Sequence, residues 1–386
     1  MWRDRELLVL LAAGSLTVMT GAVVAPVLPE IIQDLNLDRS LAGNLVSMHY
    51  LTLALSSPVL GILADRLGGK RVLVASLVFY ALFGLAGAAM PSFWPLLLTR
   101  AAIGVASGGI AAASLGLLVQ LYSSQEARSQ AIAYVASALT LANILYPVLA
   151  GALGSISWQA AFGLYGLGLP LAATVALQVR QPTRGDGQGM AAMTGDGAKL
   201  SQVLRNPNVL RLLLTLTLSS ATVYAVVIYL PIYLKELMNA STALNGGILT
   251  VQALGSAVTS AFGARWLAKR FGLTLVTAAG FGVMALMVMT LPNLSHLSSI
   301  VPVAILFGMG FGAVTPSLYT NLANFTPEGM QGSVLAAGTG AGFLGQFLSP
   351  ILFGLILAQG SIAGVFYTAT SVALAAGLLL LVPIRA

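Results

Sequence analysis

The chain has 386 residues, of which 58% are hydrophobic and only 8% charged, with 42 glycines and a formal charge of +7. So little charge excludes a water-soluble core of this size and leaves lipid as the main solvent. The basic excess does not point to nucleic acid, because Lys and Arg lie in short turns between apolar runs and not on one face. With no Cys, and only His49 and His296 as imidazoles, disulfides and thiolate chemistry are excluded and neither a metal site nor a cofactor is expected.

Apolar stretches long enough for spanning helices of about 20 residues run over 7–29, 41–64, 72–90, 94–120, 127–152 and 157–178. The first follows Arg3 and Arg5 but lacks a convincing cleavage site, so it is read as a retained helix and not as a secretory signal. A polar, glycine-rich segment over 180–208 comes next. Its Gly185-Asp-Gly187-Gln-Gly189 stretch has no preceding strand and no following Lys-Ser or Lys-Thr, so a flexible linker is expected and a nucleotide loop is not. Six further apolar stretches follow at 209–234, 242–266, 273–291, 297–323, 330–357 and 362–383. The expectation is an all-α membrane protein of twelve transmembrane helices in two pseudo-symmetric six-helix bundles, 1–179 and 209–386, joined by the 180–208 linker.

The halves repeat each other, as in many secondary transporters. Tyr146-Pro147-Val-Leu-Ala-Gly151 is matched about 203 residues on by Ser349-Pro350-Ile-Leu-Phe-Gly354, and Arg66-Leu-Gly68 by Arg270-Phe-Gly272. All of the 18 Lys and Arg residues except Arg39, Arg100 and Lys235 fall on one side of the alternating loops. The positive-inside bias then puts both termini and the linker in the cytoplasm. A cell (inner, cytoplasmic) membrane is the expected location.

The most informative motif is Gly61-Ile-Leu-Ala-Asp65-Arg66-Leu-Gly68-Gly69-Lys70-Arg71, a charged glycine-rich turn between the second and third spans. Charge of this density must sit in water at the membrane face. Arg100-Ala-Ala-Ile-Gly104-Val-Ala-Ser-Gly108 lies in the fourth span and Tyr146, Pro147 and Gly151 in the fifth. With these motifs the whole chain resembles the major facilitator superfamily, and within it the drug and proton antiporter branch. The family's loop between helices 2 and 3 is matched at Gly61, Asp65, Arg66, Gly68, Lys70 and Arg71. The fifth-helix antiporter motif is altered, with Tyr146 in the slot usually held by glycine. Thr20 stands in the first span where many relatives carry an acidic residue.

The resemblance implies that the turn acts as a conformational latch securing one state. Asp65 is suited to pair with Arg128 and to reach the start of the eleventh helix near Gly329. The alternative is that Asp65 only caps the third helix while Lys70 and Arg71 only enforce topology. Arg100, about 9 Å inside the fourth span at about 1.5 Å per residue, needs partners. It is read either as facing a cavity and contacting substrate or coupling protonation, or as a structural group bonded to backbone. Glu30, near the outer end of the first span, could reach Arg100 and is a further proton-coupling candidate.

His49 is the proton-site candidate among groups that titrate near neutral pH, with a neutral, hydrogen-bonded histidine as the alternative. Thr20, Arg100, Tyr224, Tyr229, Tyr233, Tyr319 and Asn321 are candidates for a substrate cavity suited to apolar ligands with a few polar groups, some of the tyrosines being packing or interface residues. No Asp or Glu falls deep in a span, which predicts a neutral-to-positive interior that disfavours organic cations. Spaced glycines are read as intramolecular helix packing, so a monomer is expected.

The functional expectation is a secondary active transporter, not an enzyme, that works by alternating access and exports small amphiphilic molecules in exchange for protons. Its partners are the substrate, protons and the bilayer. The alternatives are a proton-independent facilitator or lipid-type transporter of the same fold, and a non-transporting receptor or scaffold.

Overall fold

The computed structural model describes residues 4–122, 124–180, 201, 203–327 and 330–381. Among these, twelve helices are long and apolar enough to cross a membrane: α1 (Arg5–Asp34), α2 (Arg39–Leu67), α3 (Gly69–Gly87), α4 (Phe93–Leu121), α5 (Glu126–Gly154), α6 (Trp158–Gln178), α7 (Pro207–Met238), α8 (Thr242–Phe271), α9 (Leu273–Asn293), α10 (Leu297–Asn324), α11 (Gln331–Gln359) and α12 (Ile362–Leu381). Each overlaps a span expected from the apolar runs. α8 continues past its apolar run because Lys269 and Arg270 fall in its last turn, where cations complement the helix dipole.

Caps explain where the helices begin. The Asp4 carboxylate accepts from Glu6 N, the Ser157 hydroxyl from Ala160 N and the Ser241 hydroxyl from Leu244 N. Each satisfies an N–H with no partner inside its helix. Asp38 does the same at the start of α2, accepting from Ser40 N and Ser40 Oγ at 2.8 Å. Those two bonds hold its carboxyl below the usual carboxylate range. The α2–α3 and α8–α9 turns both depend on a glycine with positive φ, Gly68 at 100° and Gly272 at 83°, a conformation that a Cβ disfavours. Each also donates its N–H back to the preceding helix, Gly68 to Ala64 O and Gly272 to Ala268 O.

The chain divides into two compact units, one within Met1–Leu37 and Leu45–Ala192, the other within Asp38–Asn44 and Met193–Ala386. Residues 38–44 thus belong by sequence to the first half but pack within the second unit. Gly43 permits this, since a Cβ there would lie 2.9 Å from Pro350 Cβ and 3.0 Å from Ile228 Cγ2. Arg39 pairs with Glu236 in the same place.

Within each unit, two helices approach at backbone distance. In the first, Gly104 of α4 lies against His49 O and Gly108 lies against Leu53 O, with no room for a Cβ. In the second, Gly308 and Gly312 of α10 face Gln252 O and Ser256 O in the same way. Small residues allow the close contact.

Candidate functional site

The densest buried polar network among the described residues lies in the first unit and is centred on Thr20 and Arg100. Both are fully buried, as are Tyr80, Ser107, His49 and Tyr165. Arg100 Nη1 donates to the Tyr165 hydroxyl at 2.9 Å. That hydroxyl donates onward to Thr20 O, also at 2.9 Å. Thr20 Oγ1 lies 3.1 Å from Ser107 Oγ, and the Tyr80 hydroxyl donates to Leu16 O at 2.7 Å. α1, α3, α4 and α6 are thereby tied together by hydroxyls around one guanidinium.

Local sequence makes the site possible. α1 is interrupted at Val23, between the helical stretches Arg5–Ala22 and Val24–Asp34. Pro26 there lacks an N–H for the carbonyl four residues back. On α3, Gly87 leaves space for the guanidinium, since a Cβ would lie 2.6 Å from Arg100 Nη2 and 2.8 Å from Phe162 Cε1. The rings of Phe162 and Tyr165 sit 4.7 and 5.0 Å from the guanidinium carbon, close enough for cation–π attraction. Arg100 is thus held inside the first unit between α3 and α6. Tyr165, Phe162, Gly87, Tyr80 and Ser107 were not anticipated from sequence. The only signal for them was that a charge on α4 needed partners.

His49 lies on α2 with both ring nitrogens buried. Its ring centroid is 3.9 Å from that of Tyr50. Glu30, four residues before the end of α1, is partly exposed. Tyr146 spends its hydroxyl on Ser15 Oγ of α1 at 2.7 Å, a link that a glycine in that slot would lack; Pro147 and Gly151 beside it are buried.

In the latch motif, Gly61 is buried, Asp65, Arg66 and Arg71 are exposed, and Gly68 and Lys70 are partly exposed. Arg128 Nε donates to Tyr122 O at 2.7 Å. The Tyr122 hydroxyl donates to Asp4 Oδ2 at 3.0 Å; burial, and then that carboxylate, push the phenol up to about 12. Gly329, Glu328, Arg3, Arg184, Lys199, Arg385 and linker residues 181–200 lie outside the described residues.

In the second unit, Tyr229 is fully buried with its hydroxyl 3.4 Å from Pro350 O, and Tyr233 donates to Leu294 O at 3.2 Å. These two serve packing. Tyr224, Tyr319 and Asn321 are partly exposed, and the Tyr319 hydroxyl lies 3.4 Å from Thr339 Oγ1.

Comparison with known proteins places this architecture. The quinolone resistance protein NorA of Staphylococcus aureus is 25% identical over 372 residues, covering 93% of this chain and 92% of its own. The class C tetracycline resistance protein of Escherichia coli is 26% identical over 366 residues, covering 93% and 91%. A bacterial homologue of the human lysosomal transporter Spinster superposes with a TM-score of 0.82 at 16% identity, over 98% of this chain and 95% of the other. The family profile described as Major Facilitator Superfamily matches residues 10–350, and the chain, a multi-pass transporter, belongs to that family.

Proposed function

We propose that the protein is an exporter of small amphiphilic molecules that works by alternating access in exchange for protons. It would act as a monomer in the cell membrane, with both termini cytoplasmic. The observation that carries this reading is that drug-resistance relatives align over 93% of the chain, so the likeness spans both halves and is not confined to a shared motif. Supporting it, Arg100 and His49 put two buried nitrogen-bearing groups in the first unit, where a proton or substrate charge would be felt strongly. The polar groups on Tyr224, Tyr319 and Asn321 suit ligand contact. The Gly61–Arg71 turn keeps Asp65 exposed and available as a latch.

The test is proton movement in liposomes holding the purified protein and a lumenal pH dye, as neutral, anionic and cationic amphiphiles are added. Substrate-evoked proton flux is expected and should be lost in His49→Gln if that imidazole couples. A second reading, a proton-independent facilitator, is favoured by Thr20, whose hydroxyl is bonded to Ser107 where an exchangeable acid would otherwise stand. Substrate flux without proton movement would select it.

A further inference from the structure

The last turns of α8 carry an exposed face that packing within the second unit does not use. Phe262, Arg265, Trp266, Lys269 and Arg270 are all exposed, the two rings at 80% and 62%. Residues four apart share a helix face, so Phe262, Trp266 and Arg270 form one stripe and Arg265 and Lys269 run beside it. The inward side of the same turns is marked by Ala264, which is buried. The rings come before Lys269 and Arg270 in the helix, so they lie toward the apolar middle of the span while these two cations lie toward its end.

None of the three cations enters an ion pair among the described residues. The described carboxylates of the second unit, Asp38 and Glu236, are far from them. Glu236 pairs with Arg39, next to Asp38, and ends α7 just before α8 begins at Thr242. At about 1.5 Å per residue, α8 carries Lys269 about 40 Å further on.

The internal repeat shows this face to be a departure. Arg66-Leu-Gly68 recurs 204 residues on as Arg270-Phe-Gly272, which sets Gly61 opposite Arg265, Ile62 opposite Trp266 and Asp65 opposite Lys269. Both turns keep a positive-φ glycine, Gly68 and Gly272, so the turn itself requires neither the added cations nor the indole. Topology calls for positive charge but not for rings beside it. Exposed aromatic rings settle where headgroups meet acyl chains, and Lys and Arg at that level attract anionic lipid. A guanidinium forks onto phosphate oxygens, and the rings offer the chains an apolar wall for which a free phosphate has no use.

We propose that this face of α8 binds an anionic phospholipid, its phosphate held by Arg265, Lys269 and Arg270 and its chains lying along Phe262 and Trp266. Lipid binding here requires no transport and stands apart from the export reading.

The test places the full-length protein in phosphatidylcholine nanodiscs doped with brominated phosphatidylglycerol or, in parallel, with brominated phosphatidylcholine. Chain bromines quench nearby indoles, and the Trp266 signal is the emission that Trp266→Phe removes. Brominated phosphatidylglycerol should quench that signal at least about threefold more strongly at equal mole fraction. The triple variant Arg265→Gln, Lys269→Gln, Arg270→Gln should abolish the preference, whereas Arg205→Gln, at an exposed cation before α7, should retain it. If the triple variant does not fold, Lys269→Glu, which restores the sign found at Asp65, should at least halve the ratio. Equal quenching by the two lipids, a triple variant that keeps the preference, or an equal loss in Arg205→Gln would overturn the proposal. So would loss of the preference when inorganic phosphate is added at constant ionic strength, since free phosphate would then be the ligand.

Discussion

Tyr165 joins a permanent charge on α4 to the backbone of α1, accepting from Arg100 and donating to Thr20 O. Tyr165→Phe keeps the ring beneath the guanidinium but leaves a buried N–H without an acceptor, at a cost of about 1–3 kcal/mol. Tyr319→Phe, which removes a long bond at a partly exposed position, should change stability by about 0.5 kcal/mol or less. Unfolding of both variants in detergent checks the contrast, and equal effects would contradict it. Tyr122 makes a pH-dependent prediction. Its phenol, raised from 10.0 to about 12, must stay protonated to donate to Asp4. The stabilisation is therefore complete below pH 10 and is lost as pH rises toward 12. Tyr122→Phe should be less stable than wild type at pH 8, and the gap should close above pH 10; a constant gap would refute the assignment. Sequence nominated Arg100 but not Tyr165, because the partner lies 65 residues away and its approach depends on helix rotation, which no local pattern encodes.

At the scale of elements, the spans were legible because hydrocarbon tolerates only long apolar helices whose backbone bonds are internal. The α2–α3 turn was legible because charge and glycine coincide at Gly68. What escaped was register. Gly104 and Gly108 meet His49 O and Leu53 O, while Gly308 and Gly312 meet Gln252 O and Ser256 O. The helix-4 to helix-10 offset is thus 204 residues, and the helix-2 to helix-8 offset 203. Further on, Arg66 and Arg270 are again 204 apart. The extra residue enters at the π-helical turn Thr259–Gly263 within α8, where one residue is inserted without ending the helix. Glycine packing can be tested within one helix. On α9 a Cβ at Gly280 would lie 2.7 Å from Val314 Cγ2, whereas one at Gly282 meets nothing within 4 Å. Gly280→Ala should destabilise by about 1–3 kcal/mol, and Gly282→Ala should be neutral or stabilising by up to about 1 kcal/mol. Chemical unfolding of the two proteins decides it, with the reverse order excluding this packing.

For the molecule as a whole, the repeat preserves backbone and discards polarity. The counterpart of Arg100, 204 residues on, is Ala304, and that of Tyr80 is Met284; both are buried and need no partner. Among the described residues the fully buried guanidinium is therefore a feature of the first half, imposed on a scaffold whose second half does without it at the matching position. Among the described residues, carboxylates do not balance it at depth: Glu6, Asp34, Asp65, Glu126 and Glu236 lie within the first or last turn of their helices, and Glu30 only four residues from the end of α1. An interior with fixed positive charge and peripheral acids repels organic cations as they leave water, because a low dielectric magnifies like-charge repulsion. If the protein carries amphiphiles, anionic or zwitterionic ones should cross liposomes holding it about tenfold faster than quaternary ammonium dyes of similar size, a difference of about 1.4 kcal/mol. Arg100→Gln should narrow that ratio by speeding the cation as well as slowing the anion. Quaternary ammonium dyes as the best substrates of the wild-type protein would show that the first half's charge does not govern what passes.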